Sequence, residues 1–292
     1  MMRVLTIVLC FALQLLGAEA FISAQELHSR LPSDGVVILD VGSHSSYHKG
    51  HIPAAIHVDI NQLCREVDGH YEMQNIPQLV ELVRRLGIEN DSDVVIYNHN
   101  TPDGLLHASY LALALHRLGH TKVSILNGGY DEWRYEYDGV TTITNRAPSD
   151  FTPHPNNDLI VDRSYVAGKL MKVPILDARP AKHYYGIYKS PGVYRLGHIK
   201  GAMCGYWKNC LLSDNTLAER ALLEEIYLKG FRLDPAEEVI VYGLDGYQAA
   251  VTWYILQGVF AFKNLKVYDA SLKEWGNRDE SAMVRYAWEL HR

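Results

Sequence analysis

The sequence has 292 residues, of which 48% are hydrophobic and 21% are charged, so it is long enough for two domains with separate cores and is not disordered as a whole. The formal net charge is −6 at pH 7, and no run of Lys or Arg is present. This charge pattern gives no reason to expect nucleic acid or an anionic membrane as a partner.

The first 20 residues are typical of a secretory signal peptide. Arg3 precedes an apolar run over residues 4–17, and Ala18-Glu19-Ala20 ends with small residues two positions apart. The run is too short for a helix that spans a bilayer. We expect cleavage after Ala20 and a secreted protein with no membrane contact afterwards. An uncleaved anchor or a buried N-terminal helix is the alternative.

Removal of this segment would also remove Cys10 and leave three cysteines, Cys64, Cys204 and Cys210. Three is an odd number, so in an oxidising compartment at least one thiol would stay free or pair with another chain. A Cys204–Cys210 disulfide is sterically conceivable. The sequence favours the simpler interpretation that these cysteines are small buried residues.

The first half of the mature chain alternates short apolar runs with segments of helical periodicity. Residues 23–26 form a capping box that opens a helix, and residues 37–40 and 94–97 have the composition of buried strands. Between these strands, Asn90 begins an Asn-Asp-Ser sequon in a polar turn, which makes it a candidate glycosylation site. Residues 105–118 are apolar at helical spacing and predict a helix.

The second half has the same character after a segment of different composition. Residues 142–159 are rich in Pro, Asn, Thr and Asp and lack a periodic apolar face, which predicts a linker. Residues 239–242 then predict a strand and residues 248–256 a helix. We therefore expect domains at residues 21–141 and 160–292, each an α/β unit with a parallel sheet between two layers of helices.

Four landmarks of the first half recur in the second, at separations of 137 to 147 residues, so the repeating unit is a whole domain. The landmarks are a Leu-Asp strand end, a Gly-His-Ile turn, an apolar strand before a helix, and a segment ending in Glu-Trp. They occur at residues 37–40 and 174–177, 50–54 and 197–202, 94–97 and 239–242, and 126–133 and 268–275.

This order of motifs resembles the tandem-domain rhodaneses and mercaptopyruvate sulfurtransferases, and the likeness extends over residues 21–278. The resemblance implies two rhodanese-like domains, each with a mostly parallel five-stranded sheet flanked by helices. It also implies a first domain without catalytic function and an active site in the second domain that faces the domain interface. In active members, a cysteine takes sulfane sulfur from a donor and holds it as a persulfide.

The corresponding loop has the right position for such chemistry but lacks the nucleophile. A loop between a strand and a helix N-terminus directs backbone N–H groups and the helix dipole towards one point, which favours an anion or a thiolate. By the resemblance, Gly243 stands where active members have the cysteine. A glycine cannot form the covalent intermediate, so most of the catalysis should be lost. The candidate anion or substrate loop consists of Gly243, Leu244, Asp245, Gly246, Tyr247, Gln248 and Ala249.

Two further candidate residues precede this loop in the chain. Arg179 matches an arginine of the family, and either it binds a substrate anion or it forms an ion pair that fixes the loop. His183 stands where family members place a substrate-binding arginine, and it is at best a pH-dependent cation. Asp245 adds negative charge where a sulfur anion needs the opposite.

The other cysteines give little support for a relocated nucleophile. Cys204 follows the second Gly-His-Ile segment and is a conceivable substitute, whereas Cys64 belongs to the other domain and Cys210 is not at a strand end that opens the loop. The first domain's equivalent loop begins at Asn98 and also lacks a thiol.

Metal and cofactor chemistry are not expected. His44, His48 and His51 fall within eight residues, but His51 belongs to a Gly-His-Ile turn and the other two are expected in a polar loop. Zinc-binding spacings and glycine-rich nucleotide motifs do not accompany them. The sequence therefore predicts no metal ligand and no cofactor.

Two functions remain open. The first is a secreted, catalytically impaired rhodanese that binds a small sulfur-containing anion or a protein partner. The second is a sulfurtransferase with weak or relocated activity, which moves sulfane sulfur from thiosulfate or mercaptopyruvate to cyanide or thiols. The lost nucleophile favours the first, and family membership alone supports the second.

Overall fold

Two five-stranded, fully parallel sheets organise the chain in a computed structural model that describes residues 20–99, 101 and 103–287. The expected signal peptide, apart from Ala20, lies outside the described residues. Within the described part of the chain, no helix is long and apolar enough to cross a membrane. The expected α/β class with one parallel sheet per domain is confirmed.

The first sheet has the strand order β1-β7-β6-β2-β3, and helices cover both of its faces. A separate antiparallel hairpin is formed by β4 and β5. The elements are β1 (Phe21–Ile22), α1 (Ala24–Ser29), β2 (Val36–Asp40), α2 (His44–Lys49), β3 (Ile56–His57), β4 (Cys64–Val67), β5 (His70–Met73), α3 (Ile76–Arg85), β6 (Asp93–Tyr97), α4 (Gly104–Arg117), β7 (Val123–Leu126) and α5 (Gly129–Glu136).

The second sheet has the order β11-β9-β12-β13-β8, and β10 pairs antiparallel with β14 outside it. The elements are β8 (Ile160–Val161), α6 (Arg163–Lys169), β9 (Ile175–Asp177), α7 (Ala181–Tyr184), β10 (His198–Ile199), β11 (Ala202–Cys204), α8 (Arg220–Glu224), β12 (Glu238–Tyr242), α9 (Gly246–Phe260), β13 (Asn264–Tyr268), α10 (Ser271–Trp275) and β14 (Met283–Val284).

The long predicted elements form where the periodicity places them. The predicted helices at 105–118 and 248–256 correspond to α4 and α9, and the predicted strands at 94–97 and 239–242 to β6 and β12. The capping box is partly formed, because the Ser23 hydroxyl accepts from the Glu26 backbone N–H at 3.1 Å.

The expected polar loop at His44 and His48 is wrong, because these residues lie on α2. The Ser43 hydroxyl caps this helix by accepting from the Ser46 backbone N–H at 3.1 Å. Tyr47 is buried and holds the helix against the first sheet. A helix of six residues is too short to show helical periodicity in the sequence.

The predicted linker contains no helix or regular strand, but it is held along its length against the first domain. Phe151 is buried in the core, and the Ser149 hydroxyl donates to the Ile88 carbonyl at 2.6 Å. Asn90 exchanges two hydrogen bonds with the backbone of Thr152, at 2.6 and 2.8 Å. The segment therefore fixes the first domain's surface as well as connecting the domains.

The domains share one apolar core. The largest buried cluster includes residues of both sheets, and α4 of the first domain packs along α9 of the second. The Tyr254 hydroxyl on α9 donates to the carbonyl oxygens of Ala20 and Val123 at 2.8 and 3.0 Å. Because α9 begins at Gly246, within the candidate segment 243–249, this packing places the segment against the first domain.

Candidate functional site

The candidate loop connects the buried carboxyl end of β12 with the first turn of α9. Tyr242 is the last residue of β12, and Gly246 is the first of α9. Two strands of the sheet end beside it, since β12 pairs with both β9 and β13. Carboxyl ends of neighbouring parallel strands are the usual ligand-binding edge of an α/β sheet. Residues 243–245 therefore connect the predicted strand to the predicted helix, whereas residues 246–249, which were expected in the loop from the sequence, form the first turn of that helix.

Two side chains of the protein accept hydrogen bonds from the first two backbone N–H groups of the loop. The backbone N–H of Gly243 donates to the Ser271 hydroxyl at 3.1 Å, and that of Leu244 donates to the Gln248 side-chain carbonyl at 2.9 Å. The carbonyl groups of both residues accept from the backbone N–H groups of Leu272 and Lys273 on α10. Internal hydrogen bonds therefore engage the first two backbone N–H groups of the loop.

Gly243 lies in a space that does not admit a side chain without movement. A Cβ atom built on this residue would lie 2.6 Å from the Gln248 Cβ and 3.0 Å from the Gln248 Oε1. Real Cβ atoms essentially never approach a neighbour within 3.0 Å. The first clash involves an atom next to the helix backbone, so a rotation of the Gln248 side chain would not relieve it.

The charge at the loop is balanced locally. Asp245 precedes α9, but its carboxylate makes no hydrogen bond to the helix N-terminus. It accepts instead from the Lys273 ammonium at 3.1 Å, and both side chains are partly exposed. Lys273 is therefore a cation beside the loop. No sequence pattern indicated it, because Lys273 follows Asp245 by 28 positions and only the fold brings the two together.

Arg179 is a buried structural residue. Its guanidinium donates to both carboxylate oxygens of Asp177 through Nε, at 2.9 and 3.1 Å, and also to the Ser190 hydroxyl and the Gly197 carbonyl. Only 2% of Arg179 is exposed. Asp177 also accepts from the Tyr242 hydroxyl at 2.6 Å. Of the two interpretations left open by the sequence, the geometry supports the ion pair.

His183 forms a hydrogen bond within the protein. Its Nδ1 lies 3.2 Å from the Ser190 hydroxyl, which already accepts from Arg179. Burial and then the nearby positive charge of Arg179 lower the pKa of His183. The imidazole is therefore neutral at neutral pH and does not supply the positive charge of an arginine.

Two of the three described cysteines are poor nucleophiles by their surroundings. Cys204 ends β11, and burial together with the Asp177 carboxylate raises its pKa to about 11. Cys210 is buried, its Sγ lies 2.8 Å from the Tyr227 hydroxyl, and burial raises its pKa to about 11. The described cysteines are all free thiols, so a Cys204–Cys210 disulfide is not formed.

Cys64 lies closer to the candidate loop than the sequence indicates. Its Sγ is 3.0 Å from the hydroxyl of Tyr247, which belongs to the loop, although 183 positions separate the two residues. Burial is the main cause that raises the pKa of Cys64, and the carboxylates of Asp269 and Asp245 raise it further. The domain interface therefore brings a thiol to the loop but disfavours its thiolate.

A buried carboxyl group completes this interface. Asp269 follows β13 and accepts from the Tyr110 hydroxyl at 2.9 Å and from the Met73 backbone N–H at 2.5 Å. Both donors belong to the first domain. A Cβ on Gly246 would overlap the Asp269 carboxylate, so a glycine is required where α9 begins. No sequence pattern signalled this cluster, because its members are far apart in the chain.

Comparisons with known proteins agree with this architecture. The rhodanese-like domain family matches residues 23–136 and 163–278. A thiosulfate sulfurtransferase of Corynebacterium glutamicum is 31% identical over 278 residues, covering 89% of this chain and 88% of that protein.

Solved structures show the same fold. The anaerobic ergothioneine biosynthesis enzyme of Chlorobium limicola has a TM-score of 0.81 at 20% identity, covering 92% of this chain and 70% of that one. The structure of YnjE has a TM-score of 0.77 at 18% identity, covering 92% and 68%. With both halves matched by the family and a relative above 30% identity, the chain belongs to the rhodanese family and carries two rhodanese-like domains in tandem.

Proposed function

We infer that this is a secreted rhodanese-family protein that no longer transfers sulfur through a persulfide, and that it acts by binding a small sulfur-containing anion or a protein partner. The observation that carries this proposal is the state of the 243–249 loop. By the family resemblance, Gly243 stands where active members have the cysteine, and the backbone N–H groups of Gly243 and Leu244 donate to the Ser271 hydroxyl and the Gln248 side-chain carbonyl.

The location and partners are part of the same proposal. The first 20 residues have the pattern of a signal peptide, and β1 begins directly after them at Phe21. Asn90 remains the candidate glycosylation site in a secreted protein. The net charge of −6 supports neither nucleic acid nor an anionic membrane as a partner. An anion that binds the Leu244 amide must first displace the Gln248 side-chain carbonyl from it.

Relocated activity is the second candidate, and the contact of Cys64 with Tyr247 gives it a specific basis. In such a reaction a thiolate would attack the sulfane sulfur of thiosulfate, form a persulfide and release sulfite, after which cyanide would take the sulfur as thiocyanate. The raised pKa values of Cys64 and Cys204 oppose this reaction, because the thiolate is the nucleophile.

The purified protein is expected to show only background turnover with thiosulfate plus cyanide, and with mercaptopyruvate plus a thiol. Loss of a covalent nucleophile elsewhere costs about six orders of magnitude in rate, which would put this protein far below an active enzyme of the family. Thiocyanate and pyruvate formation measure the two reactions, and the relative from Corynebacterium glutamicum serves as the comparison enzyme.

Cys64→Ala and Cys204→Ala identify any relocated nucleophile. Turnover well above background that disappears in either variant would overturn the inactive assignment and locate the thiol. Turnover that survives both substitutions would also overturn it, and would place the chemistry outside these two cysteines.

Gly243→Cys is expected to lower the free energy of unfolding by about 1–3 kcal/mol, because the new Cβ overlaps the Gln248 Cβ in a filled space. Urea unfolding measures this change, and Gly243→Ala provides the control, since it introduces the same Cβ without the sulfur. Equal stability of all three proteins would mean that the loop opens readily.

The rebuilt loop is also expected to accept sulfur only after Gln248 is removed. In Gly243→Cys/Leu244→Arg/Asp245→Lys, the Gln248 carbonyl still occupies the Leu244 amide position, whereas adding Gln248→Gly removes both the carbonyl and the overlapping Cβ. Intact-mass measurement after incubation with thiosulfate should therefore show one added sulfur atom only with the fourth change. Equal persulfide formation with and without that change would show that Gln248 does not close the loop.

A further inference from the structure

Two imidazoles on α2 of the first domain lie side by side. His44 and His48 are one helical turn apart, and their Nε2 atoms are 2.9 Å from each other. Both side chains are exposed. The helix that carries them is fixed, because Ser43 caps it and Tyr47 between them is buried at 3% exposure.

The third histidine of the sequence cluster is not part of this pair. His51 is buried, its Nδ1 lies 2.8 Å from the Tyr47 carbonyl, and its Nε2 lies 3.1 Å from the Thr142 carbonyl. Both ring nitrogens of His51 are therefore engaged in the backbone of the first domain. The structure separates a structural histidine from two whose Nε2 atoms face each other.

One ring donates a hydrogen bond to the other across this distance, and a metal ion bound by both Nε2 atoms would replace the shared proton. A metal–nitrogen bond of about 2.0–2.1 Å to each ring gives an angle of about 90° at the metal when the nitrogens are 2.9 Å apart. This is the angle between neighbouring positions in a tetragonal or octahedral site, whereas a tetrahedral zinc site needs a wider separation. Imidazole nitrogen also suits Ni²⁺ and Cu²⁺.

The remaining positions around a metal are open to solvent. Among the described residues, no group of three or more His, Cys, Asp or Glu side chains is placed to hold a metal ion. His44 lines a surface cavity of about 570 Å³, which also includes His57 and Asp59. Water molecules can therefore complete the coordination on the side of the cavity.

We propose that His44 and His48 form a two-imidazole chelating site on α2 of the first domain for a divalent ion of tetragonal or octahedral preference, with Ni²⁺ and Cu²⁺ as its chemical class. The site does not depend on the proposed loss of sulfur transfer, because it is built on α2 of the first domain, whereas residues 243–249 belong to the second domain.

The test is Ni²⁺ binding to the purified protein without a histidine tag, measured by equilibrium dialysis. Ni²⁺ is used because Cu²⁺ would also oxidise the free thiols. One ion per chain is expected, and His48→Ala should weaken binding at least about tenfold, since a single imidazole cannot chelate.

Two control variants separate the pair from histidines in general. His48→Ala/Lys49→His keeps the number of histidines but moves the second ring off the shared face, and it should bind as weakly as His48→Ala. His154→Ala removes an exposed histidine elsewhere and should bind like the unmodified protein. Failure to bind Ni²⁺ at all would overturn the proposal. Undiminished binding by the spacing variant would overturn it too.

Discussion

Replacing Arg179 by methionine is expected to lower the free energy of unfolding by about 3–5 kcal/mol, because it leaves the Asp177 carboxylate buried without its partner. Asp177 is fully buried and Arg179 is only 2% exposed. The substitution also leaves the Ser190 hydroxyl and the Gly197 carbonyl without the guanidinium. Urea unfolding followed by circular dichroism measures the loss.

The control for this variant is Lys182→Met, a cation three positions further along that is exposed. It should change stability by less than about 0.5 kcal/mol, as surface substitutions usually do. Arg179→Lys should fall between the two, because an ammonium cannot reproduce the planar set of donors that reaches Asp177 and Gly197 together. If the Arg179→Met protein unfolds like the original but binds thiosulfate less well, the ion-pair interpretation is wrong and Arg179 is an anion ligand.

The first domain shows why the arginine could not be assigned from the sequence alone. Asp40 occupies the same strand-end position as Asp177, but the residue two further on is Gly42 instead of an arginine. His99 fills the space there, and its Nε2 lies 2.8 Å from the Asp40 carboxylate. Each domain thus supplies a cation-capable group to a buried aspartate, from different places in the chain. The repeat predicted that Asp40 and Asp177 occupy equivalent positions, but only the packing shows which side chains pair with them.

The sequence predicted well whatever depends on local periodicity and on the repeat. The helices α4 and α9 and the strands β6 and β12 follow from apolar patterns of at least four residues, and the duplication implied two similar sheets. The candidate loop was located because it lies between two such elements. The expected bounds of the domains, the signal peptide and glycosylation at Asn90 remain predictions.

The contents of the site were harder to predict, because they depend on side-chain direction and on how the domains dock. Gln248 was named as a loop residue, but nothing in its spacing indicated that its carbonyl would satisfy the Leu244 amide. The approach of Cys64 to Tyr247 requires α4 to pack on α9. The sequence could not tell whether the loop's backbone donors are free, because it does not place the side chains of Ser271 and Gln248 that accept from them.

The second large effect concerns pH and the domain interface. Between about pH 4 and pH 6, the protein is expected to lose about 3 kcal/mol of stability relative to its Asp269→Asn variant. Burial raises the pKa of Asp269 to about 6, although the Met73 amide and the Tyr110 hydroxyl oppose this shift. Each unit of difference from the unfolded value near 3.9 corresponds to about 1.4 kcal/mol.

The direction follows from where the proton is bound. In this pH range the folded protein keeps a proton on Asp269, whereas the unfolded chain releases it, so rising pH favours unfolding. The stabilising contribution is complete below about pH 4 and is lost as the pH rises through 6. Asp269→Asn has no proton to release there, and its lost hydrogen bond costs about 1–3 kcal/mol at every pH. Urea unfolding of both proteins at pH steps of half a unit gives the difference in their free energies of unfolding directly.

Tyr110→Phe tests the contribution of one hydrogen bond to the pKa of Asp269, because it removes one donor to the carboxylate and keeps the aromatic ring. Without that donor the pKa of Asp269 should rise further, so the loss of stability should continue above pH 6. Glu72 and Arg117 also act on this carboxyl group, in opposite directions. A stability difference that stays constant between pH 4 and 7 would show that Asp269 is ionised throughout, and that the Tyr110 and Met73 hydrogen bonds offset its burial. The carboxyl group would then hold the domains together equally well at acidic and neutral pH.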